Sequence, residues 1–190
     1  LKDFTFSSWL DPIKRAKISG IFYNSKFTQK CNKPIDKLFP KMQSSVIYPP
    51  VSVQKRQEPK ENIILHVGRF RVNDQWEGDY KKQFVMVDSF KKMVDTGVKG
   101  WKFVLAVSVH AKDKDAFDRL QEKAKGYPIS FSVNKSNDEL WELYTKAKIY
   151  WHASGYDEDL EVHPEYAEHF GIATVEAMGA GAVPIVINEG

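Results

Sequence analysis

The chain has 190 residues, 42% of them hydrophobic and 28% charged, which is typical of a soluble globular protein with a core and does not indicate disorder. Its 28 basic and 25 acidic residues leave a net charge of +3, which is too balanced to indicate nucleic-acid binding. The single cysteine, Cys31, excludes an internal disulfide and a zinc site built mainly from cysteines. Because no apolar run approaches the roughly 20 residues of a membrane-spanning helix, a cytoplasmic setting is expected.

Residues 1–53 differ in pattern from the rest of the chain. The elements predicted there are a short helix over 9–16, a strand over 18–23, a weak helix over 27–36 that Pro34 interrupts, and a strand over 45–48. Pro49 and Pro50 then favour an extended path, and the polar residues 54–61 are typical of a linker. We therefore place a domain boundary at 54–61.

Strands and helices alternate over residues 62–190. The predicted strands cover 63–67, 103–107, 129–133, 149–153 and 183–187. The first predicted helix covers 82–94, the second contains Phe117, Leu120 and Ala124, and the fourth covers 172–178. The third contains the stripe Leu140, Leu143, Tyr144 and Ala147, and Asn137 or Asp138 is predicted to cap it. This alternation predicts an α/β fold with a doubly wound, parallel, Rossmann-like sheet. A start at Leu1 and an end at Gly190, directly after a predicted strand, favour a fragment whose sheet is truncated at its C-terminal end.

Ligands of such sheets bind outside the carboxyl ends of the strands. That rule nominates the residues after each predicted strand: Gly68, Arg69, His110, Val133, Asn134, Ser154, Gly155 and Asn188. Gly68 allows a sharp turn that ends the first strand, and the Arg69 guanidinium can bind a diphosphate bidentately. His66, inside that strand, is predicted to be a core histidine, and His152 is either a core or a site residue.

Residues 168–181 set two carboxylates around the start of a predicted buried helix. Glu168 precedes the helix, Glu176 lies inside it, and Gly179 and Gly181 end it. The unpaired N–H groups at the start of a helix suit a phosphate, which leaves the carboxylates to bind neutral hydroxyls.

This spacing of the two glutamates, with Phe170-Gly171-Ile172 between them, resembles the signature of the group 1 glycosyltransferases, the retaining family 4 enzymes of the GT-B fold. The resemblance implies a nucleotide-sugar site in which the helix start faces the diphosphate, Glu176 bonds the ribose hydroxyls and Glu168 contacts the sugar. It makes further donor-binding candidates of His169, Phe170, Gly171 and Ile172.

Residues 67–70 resemble the family's first-strand phrase, whose arginine, here Arg69, contacts the donor phosphates. The family's phosphate-binding lysine maps to Lys81, with Lys82 as the register-shifted alternative. A lysine pair at a helix start opposes the helix dipole, a placement that makes sense if an anion neutralises it. Val133 and Asn134, also donor-binding candidates, stand where the family usually has a glycine, so the base-binding contacts depart from its pattern.

Residues 24–28 and 46–50 also resemble the family, so the likeness extends from about residue 18 to the end. It implies that 1–53 closes the N-terminal GT-B domain and that 62–190 is the nucleotide-sugar-binding domain. The acceptor would then bind through the missing N-terminal domain, and the fragment is expected to bind its donor without turnover.

The implied activity of the parent is that of a hexosyltransferase, which moves a sugar from a nucleotide diphosphate sugar to an acceptor hydroxyl with retention. Glu168, Arg69 and Lys81 are the catalytic candidates, because the two cations would neutralise the leaving diphosphate while Glu168 orients the sugar. Residues 168–172 and 48–50 are similar to lipid-linked oligosaccharide mannosyltransferases. GDP-mannose is therefore the first candidate donor, a glycan or lipid-linked glycan the expected acceptor, and the cytoplasmic face of a membrane the place of a peripheral contact.

Two alternatives stay open: a GT-B sugar-nucleotide epimerase, and a non-catalytic nucleotide-binding or partner-binding α/β module. The absence of Gly-x-Gly-x-x-Gly after a strand, and of Gly-Lys-Ser or Gly-Lys-Thr, argues against dinucleotide enzymes and P-loop kinases. Residues 157–168 gather carboxylates and imidazoles, but their spacing matches no calcium loop or zinc-protease motif. We expect no cofactor and no dedicated metal.

Overall fold

The computed structural model describes residues 19–32, 43–54, 58–72 and 79–188. They form two compact units, the first from the described residues of 1–50 together with 158–170, and the second from those of 51–157 together with 171–188. The helix predicted over 9–16 lies outside the described residues.

In its described part, the first unit pairs two parallel strands and adds a short helix. These elements are β1 (Gly20–Tyr23), α1 (Lys26–Cys31) and β2 (Gln43–Val46). Ser25 begins α1, because its hydroxyl accepts the N–H of Thr28 at 3.0 Å. The predicted strand, helix and strand are confirmed in kind, although the helix ends before Pro34 and β2 begins at Gln43 rather than Ser45.

The second unit is a five-stranded parallel sheet with helices on both faces. Its elements are β3 (Glu61–Phe70), α2 (Gln83–Asp95), β4 (Lys102–Val109), α3 (Lys114–Ala124), β5 (Ile129–Val133), α4 (Asn137–Lys146), β6 (Ala147–Trp151), α5 (Ile172–Gly179) and β7 (Val183–Ile185). The strand order is β5-β4-β3-β6-β7, so the chain moves outward from β3 to one edge and returns to place β6 on the other side. This order confirms the doubly wound Rossmann-like sheet, with its switch point between β3 and β6.

Alternation along the strands divides the core into two layers. Ile64 and Phe103 pack with α2 and α3 on one face of the sheet. Leu65 and Val104 pack with α4 and α5 on the other. Each of these four side chains is at most 6% exposed, and burying one contributes about 1.5 to 3 kcal/mol. Because these strands are buried on both faces, their sequences are continuous apolar runs.

The prediction that Gly68 ends the first strand is wrong. β3 runs on through Arg69 to Phe70, because β4 is long enough to pair with it: Arg69 lies opposite Ser108 and Phe70 opposite Val109. The added residues extend β3 and β4 together at the edge of the sheet where ligands of this fold bind.

The start of α4 also differs from the prediction. Ser136, not Asn137 or Asp138, caps the helix: its hydroxyl accepts the N–H of Glu139, whose carboxylate accepts the N–H of Ser136 in return. None of the helices in the described ranges has both the length and the apolar character needed to cross a bilayer.

Candidate functional site

Gly68 and Arg69 lie near the carboxyl end of β3 and, as successive strand residues, face opposite sides of the sheet. A Cβ at position 68 would lie 3.0 Å from Nε2 of the buried His66, so glycine leaves room for that ring. The Arg69 side chain is exposed, and the described residues offer its guanidinium no hydrogen bond or ion pair. The exposed Arg69 cation therefore lies near the carboxyl end of the central strand, where sheets of this kind bind ligands.

Asp79 fixes the start of α2. Its carboxylate is 3% exposed and accepts the backbone N–H groups of Lys81, Gln83 and Phe84 at 3.1, 2.7 and 3.0 Å. Burial raises the pKa of the Asp79 carboxyl, and these three hydrogen bonds oppose that rise. An internal carboxylate thus occupies the N-terminus of α2. Asp79 therefore places an internal carboxylate beside the lysine pair, and the binding of a ligand phosphate by Lys81 stays a prediction.

Lys81 and Lys82 occupy different positions at this helix start. The Lys81 side chain lies over Gly68, since its Cγ is 3.8 Å from where a Cβ on that glycine would be. Lys82 is the N-cap residue of α2 and has a left-handed backbone, with φ of 57°. Both lysines are partly buried and both have interactions within the chain. The Lys81 side chain therefore approaches the end of β3.

His66 and Gln83 form a buried polar pair beneath Gly68. His66 Nε2 lies 3.0 Å from Gln83 Nε2, and His66 Nδ1 lies 3.0 Å from the Trp151 carbonyl oxygen. Because an amide nitrogen only donates, His66 Nε2 accepts and the ring proton is on Nδ1, which donates to Trp151. Burial lowers the pKa of His66 to about 3, so the ring is neutral. The prediction of a core histidine is confirmed; sequence patterns gave no sign of Gln83, which joins α2 to β3.

Gly171 is the N-cap residue of helix α5, with a φ of 80°, and as a glycine it has no side chain to cap the helix. The predicted helix is confirmed, but the expectation that it is buried is wrong: Ile172 and Met178 are 50% and 55% exposed. The helix rests on the sheet through its one buried residue, Ala177. Among the described residues, no side-chain hydrogen bond caps the start of this helix.

The Glu176 carboxylate, partly buried on α5, accepts a hydrogen bond from the Tyr144 hydroxyl at 2.9 Å. Tyr144 lies on α4 and is 0% exposed. The helical stripe that includes Tyr144 marked it as a core residue, and that prediction is confirmed. Its hydroxyl contact with Glu176 had no counterpart in the sequence pattern, because α4 and α5 are separated along the chain and meet only on the folded sheet.

Two glycines follow the predicted pattern at the end of α5. A Cβ at Gly179 would lie 2.5 Å from Cγ2 of Val53, and Gly181 has a φ of +81°. Gly179 therefore allows close packing, and Gly181 supplies the left-handed turn that separates α5 from β7.

Asn134 supplies the left-handed turn after β5, with φ of 51°. Its N–H donates to the Val107 carbonyl at 2.9 Å, and its Oδ1 accepts the N–H of Val109 at 3.0 Å. Asparagine tolerates this backbone conformation better than most residues, which explains how the chain dispenses with the family's glycine here. Its neighbour Val133 is 37% exposed.

Three residues that precede Gly171, the N-cap of α5, belong to the first unit: Glu168, His169 and Phe170. The His169 ring packs 5.7 Å from that of Phe27, and its Nε2 lies 3.3 Å from the Pro164 carbonyl oxygen. The Phe170 ring lies 5.8 Å from that of Tyr48. Glu168 is partly buried and has interactions of its own within the chain.

The acidic turn that precedes these residues is held by its own side chains. Asp159 Oδ1 accepts the N–H groups of Glu161 and Val162 at 3.1 and 3.2 Å, and His163 Nδ1 lies 3.2 Å from a carboxylate oxygen of Glu165. Within 19–32, 43–54, 58–72 and 79–188, no three His, Cys, Asp or Glu side chains are grouped to hold a metal.

A doubly wound sheet with basic residues at the carboxyl end of its central strand defines an α/β domain of the Rossmann class. Residues 51–190 match the family described as glycosyl transferases group 1, and the chain belongs to that family. The resemblance seen in the two glutamates and in the first-strand phrase is confirmed.

Two relatives share a mannosyltransferase name. GDP-Man:Man(3)GlcNAc(2)-PP-Dol alpha-1,2-mannosyltransferase of Dictyostelium discoideum is 26% identical over 157 residues, a match that covers 76% of this chain and 29% of the relative. The protein of the same name from Xenopus laevis is 26% identical over 162 residues, covering 77% and 30%. This chain thus spans less than a third of the length of the relatives it matches.

The fold is similar to that of HepE from Anabaena, whose crystal structure is in complex with UDP and glucose. The TM-score is 0.60 at 15% sequence identity, over 90% of this chain and 45% of HepE. The likeness confirms the GT-B type of Rossmann-like fold.

Proposed function

We propose that this chain is the donor-binding part of a retaining glycosyltransferase, which transfers a hexose from a nucleotide diphosphate sugar to an acceptor hydroxyl. One observation carries the proposal: Arg69 is exposed at the carboxyl end of the central strand, beside a glycine over which Lys81 lies. Guanidinium and ammonium groups at this end of a doubly wound sheet suit a diphosphate. Membership of the group 1 family supports the same reading.

The proposed roles in the second unit follow from charge and hydrogen-bonding capacity. Arg69 and Lys81 neutralise the negative charge that grows on the leaving diphosphate. The N–H groups at the start of α5, which no side chain in the described part of the chain caps, bind phosphate oxygens. Glu176 accepts hydrogen bonds from ribose hydroxyls, and Val133 with Asn134 lies toward the base.

By analogy with the family motif, Glu168 orients the transferred sugar, and His169 and Phe170 are further donor contacts. In the transfer, the bond between the anomeric carbon and the diphosphate oxygen breaks. The acceptor oxygen bonds the same face of that carbon, and its proton passes to the departing diphosphate. This route requires no separate carboxylate base.

GDP-mannose is the proposed donor and a lipid-linked glycan the proposed acceptor, because the names of both relatives carry GDP-Man and a glycan on PP-Dol. The parent would then work at the cytoplasmic face of a membrane. The 26% identity of these relatives supports the class of reaction more strongly than the particular sugar.

Titration calorimetry with GDP-mannose, GDP, UDP-glucose and UDP tests the proposal. We expect one nucleotide and its sugar to bind, with the guanosine pair the stronger. Binding of none of the four would contradict the proposal and favour a partner-binding module. Incubating the complete protein with the bound donor alone separates the remaining alternative, since an epimerase would interconvert the sugar without an acceptor.

A further inference from the structure

Tyr144 and Glu176 form a polar contact beside an apolar layer of the core. The Tyr144 hydroxyl donates to Glu176 Oε2 at 2.9 Å, and the tyrosine ring is wholly buried among apolar side chains of α4, β6 and the sheet. Its ring centroid lies 5.5 Å from that of Trp141 and 6.3 Å from that of Tyr150. Packing against these two aromatic rings therefore restricts where the hydroxyl points.

The Tyr144 hydroxyl is a hydrogen-bond donor at neutral pH. Burial raises the pKa of Tyr144, and the nearby Tyr150 and Glu176 raise it further, so the phenol is protonated there. A protonated phenol donates and a carboxylate accepts, so the direction of the bond is fixed. One oxygen of Glu176 is thus held, and the described residues supply no side-chain donor to the other, Oε1.

Lys60 fixes the two helices that carry this pair. Its ammonium donates to the carbonyl oxygens of Tyr144, Ala147 and Ala180 at 3.3, 3.0 and 2.6 Å. The first two carbonyls lie at the C-terminal end of α4 and the third directly after α5, where the helix dipoles favour a cation. The helices that present the hydroxyl and the carboxylate are therefore tied together at their ends.

We propose that Tyr144 is a positioning residue for Glu176: it holds one carboxylate oxygen so that the other meets the ribose hydroxyls of the bound nucleotide. The inference rests on the proposed function, in which Glu176 contacts the ribose. A freely rotating carboxylate would lose side-chain entropy on binding, whereas one already held by a buried donor is pre-organised. Tyr144 itself does not touch the ligand.

The test compares ribose with deoxyribose. Calorimetry on the full chain with GDP and UDP, and with the 2′-deoxy and 3′-deoxy form of each, measures how much binding depends on the sugar hydroxyls. We expect wild type to prefer a ribonucleotide over one of its deoxy forms by about 10-fold or more, the value of a hydrogen bond to a charged group. Tyr144→Phe should reduce that preference by about threefold or more.

Tyr127→Phe is the matched control. Tyr127 also donates its hydroxyl to a carboxylate, Asp95, at 3.0 Å, but on the opposite helical layer and at the surface. The preference should be unchanged in this variant. If Tyr144→Phe weakens ribonucleotide and deoxynucleotide equally, the role is only structural and the proposal is overturned.

A second pair of variants avoids leaving a charge unpaired. Glu176→Ala and Tyr144→Phe/Glu176→Ala should show the same, reduced preference, because Tyr144 acts only through Glu176. A further fall in the double variant would overturn the positioning role. A wild-type protein that binds ribonucleotides and deoxynucleotides equally contradicts instead the proposed ribose contact of Glu176, which separates the two failures.

Discussion

Gly68 and His66 lie two residues apart on the same face of β3, and a Cβ at position 68 would come within 3.0 Å of His66 Nε2. A contact that close forces the ring or the strand to move, so we expect Gly68→Ala to lower the free energy of unfolding by about 1 to 3 kcal/mol. Urea unfolding measures this loss. In a His66→Ala background the same change should cost less, and equal costs in both backgrounds would contradict the contact.

Asp79 caps the start of helix α2, and we expect this cap also to support the proposed nucleotide site. Asp79→Ala removes the acceptor for three N–H groups and should lower the free energy of unfolding by about 0.5 to 2 kcal/mol. It should also weaken nucleotide binding, because the start of α2 carries Lys81. Ser136→Ala removes the comparable cap of α4 and should lower stability without changing nucleotide affinity. Unchanged nucleotide affinity in Asp79→Ala would rule out the link between cap and site.

Because His66 is buried in its neutral form, we expect the free energy of unfolding to decrease in acid. Its pKa is lowered by burial to about 3 in the folded state, from an ordinary value of 6.5. Between those values the unfolded chain binds the extra proton, so stability is lost as the pH falls from about 6.5, by up to about 1.4 kcal/mol per pH unit. Urea unfolding between about pH 7 and pH 5 should show this slope, and His66→Gln should flatten it. The same slope in both proteins would mean that other groups cause it.

Arg69 and Lys81 are expected to bind the diphosphate. Arg69→Ala and Lys81→Met should each weaken nucleoside diphosphate binding by about 10- to 100-fold, as expected for the loss of a charge-assisted hydrogen bond. Lys82→Met is the matched control, since it removes the same charge from the adjacent N-cap position. Calorimetry on the three variants decides between the lysines: a larger loss in Lys82→Met would assign the phosphate contact to Lys82.

The fold could be predicted from the sequence because its signals are local. Alternation of apolar runs with helical stripes identified the parallel sheet, and Gly179 with Gly181 marked the end of α5. The extension of β3 past Gly68 was missed because it depends on the length of its partner β4. The cap of α4 does have a local signal, because Ser136 lies three residues before Glu139, the spacing of a capping box.

The site was less predictable, because its supporting contacts join residues distant along the chain. Tyr144 and Glu176 are 32 residues apart, and Lys60 reaches Ala180 across 120. Neither spacing follows a helix or strand period, so patterning identified Tyr144 as a core residue but gave no partner. The Asp79 carboxylate at the start of α2 was missed for another reason: it precedes the N-cap Lys82 by three residues, outside the position where capping residues are expected.

Calorimetric titration of the wild-type protein and of Glu176→Gln with GDP-mannose tests most directly whether this chain is a nucleotide-sugar-binding part of a glycosyltransferase. Glu176→Gln keeps the size of the side chain and removes its charge, so a ribose contact should weaken by about 1.5 to 3 kcal/mol, or roughly 10- to 150-fold in Kd. We predict binding by wild type and that loss in the variant. Equal binding by the two proteins would contradict the role of Glu176, and no binding by wild type would contradict GDP-mannose as the donor.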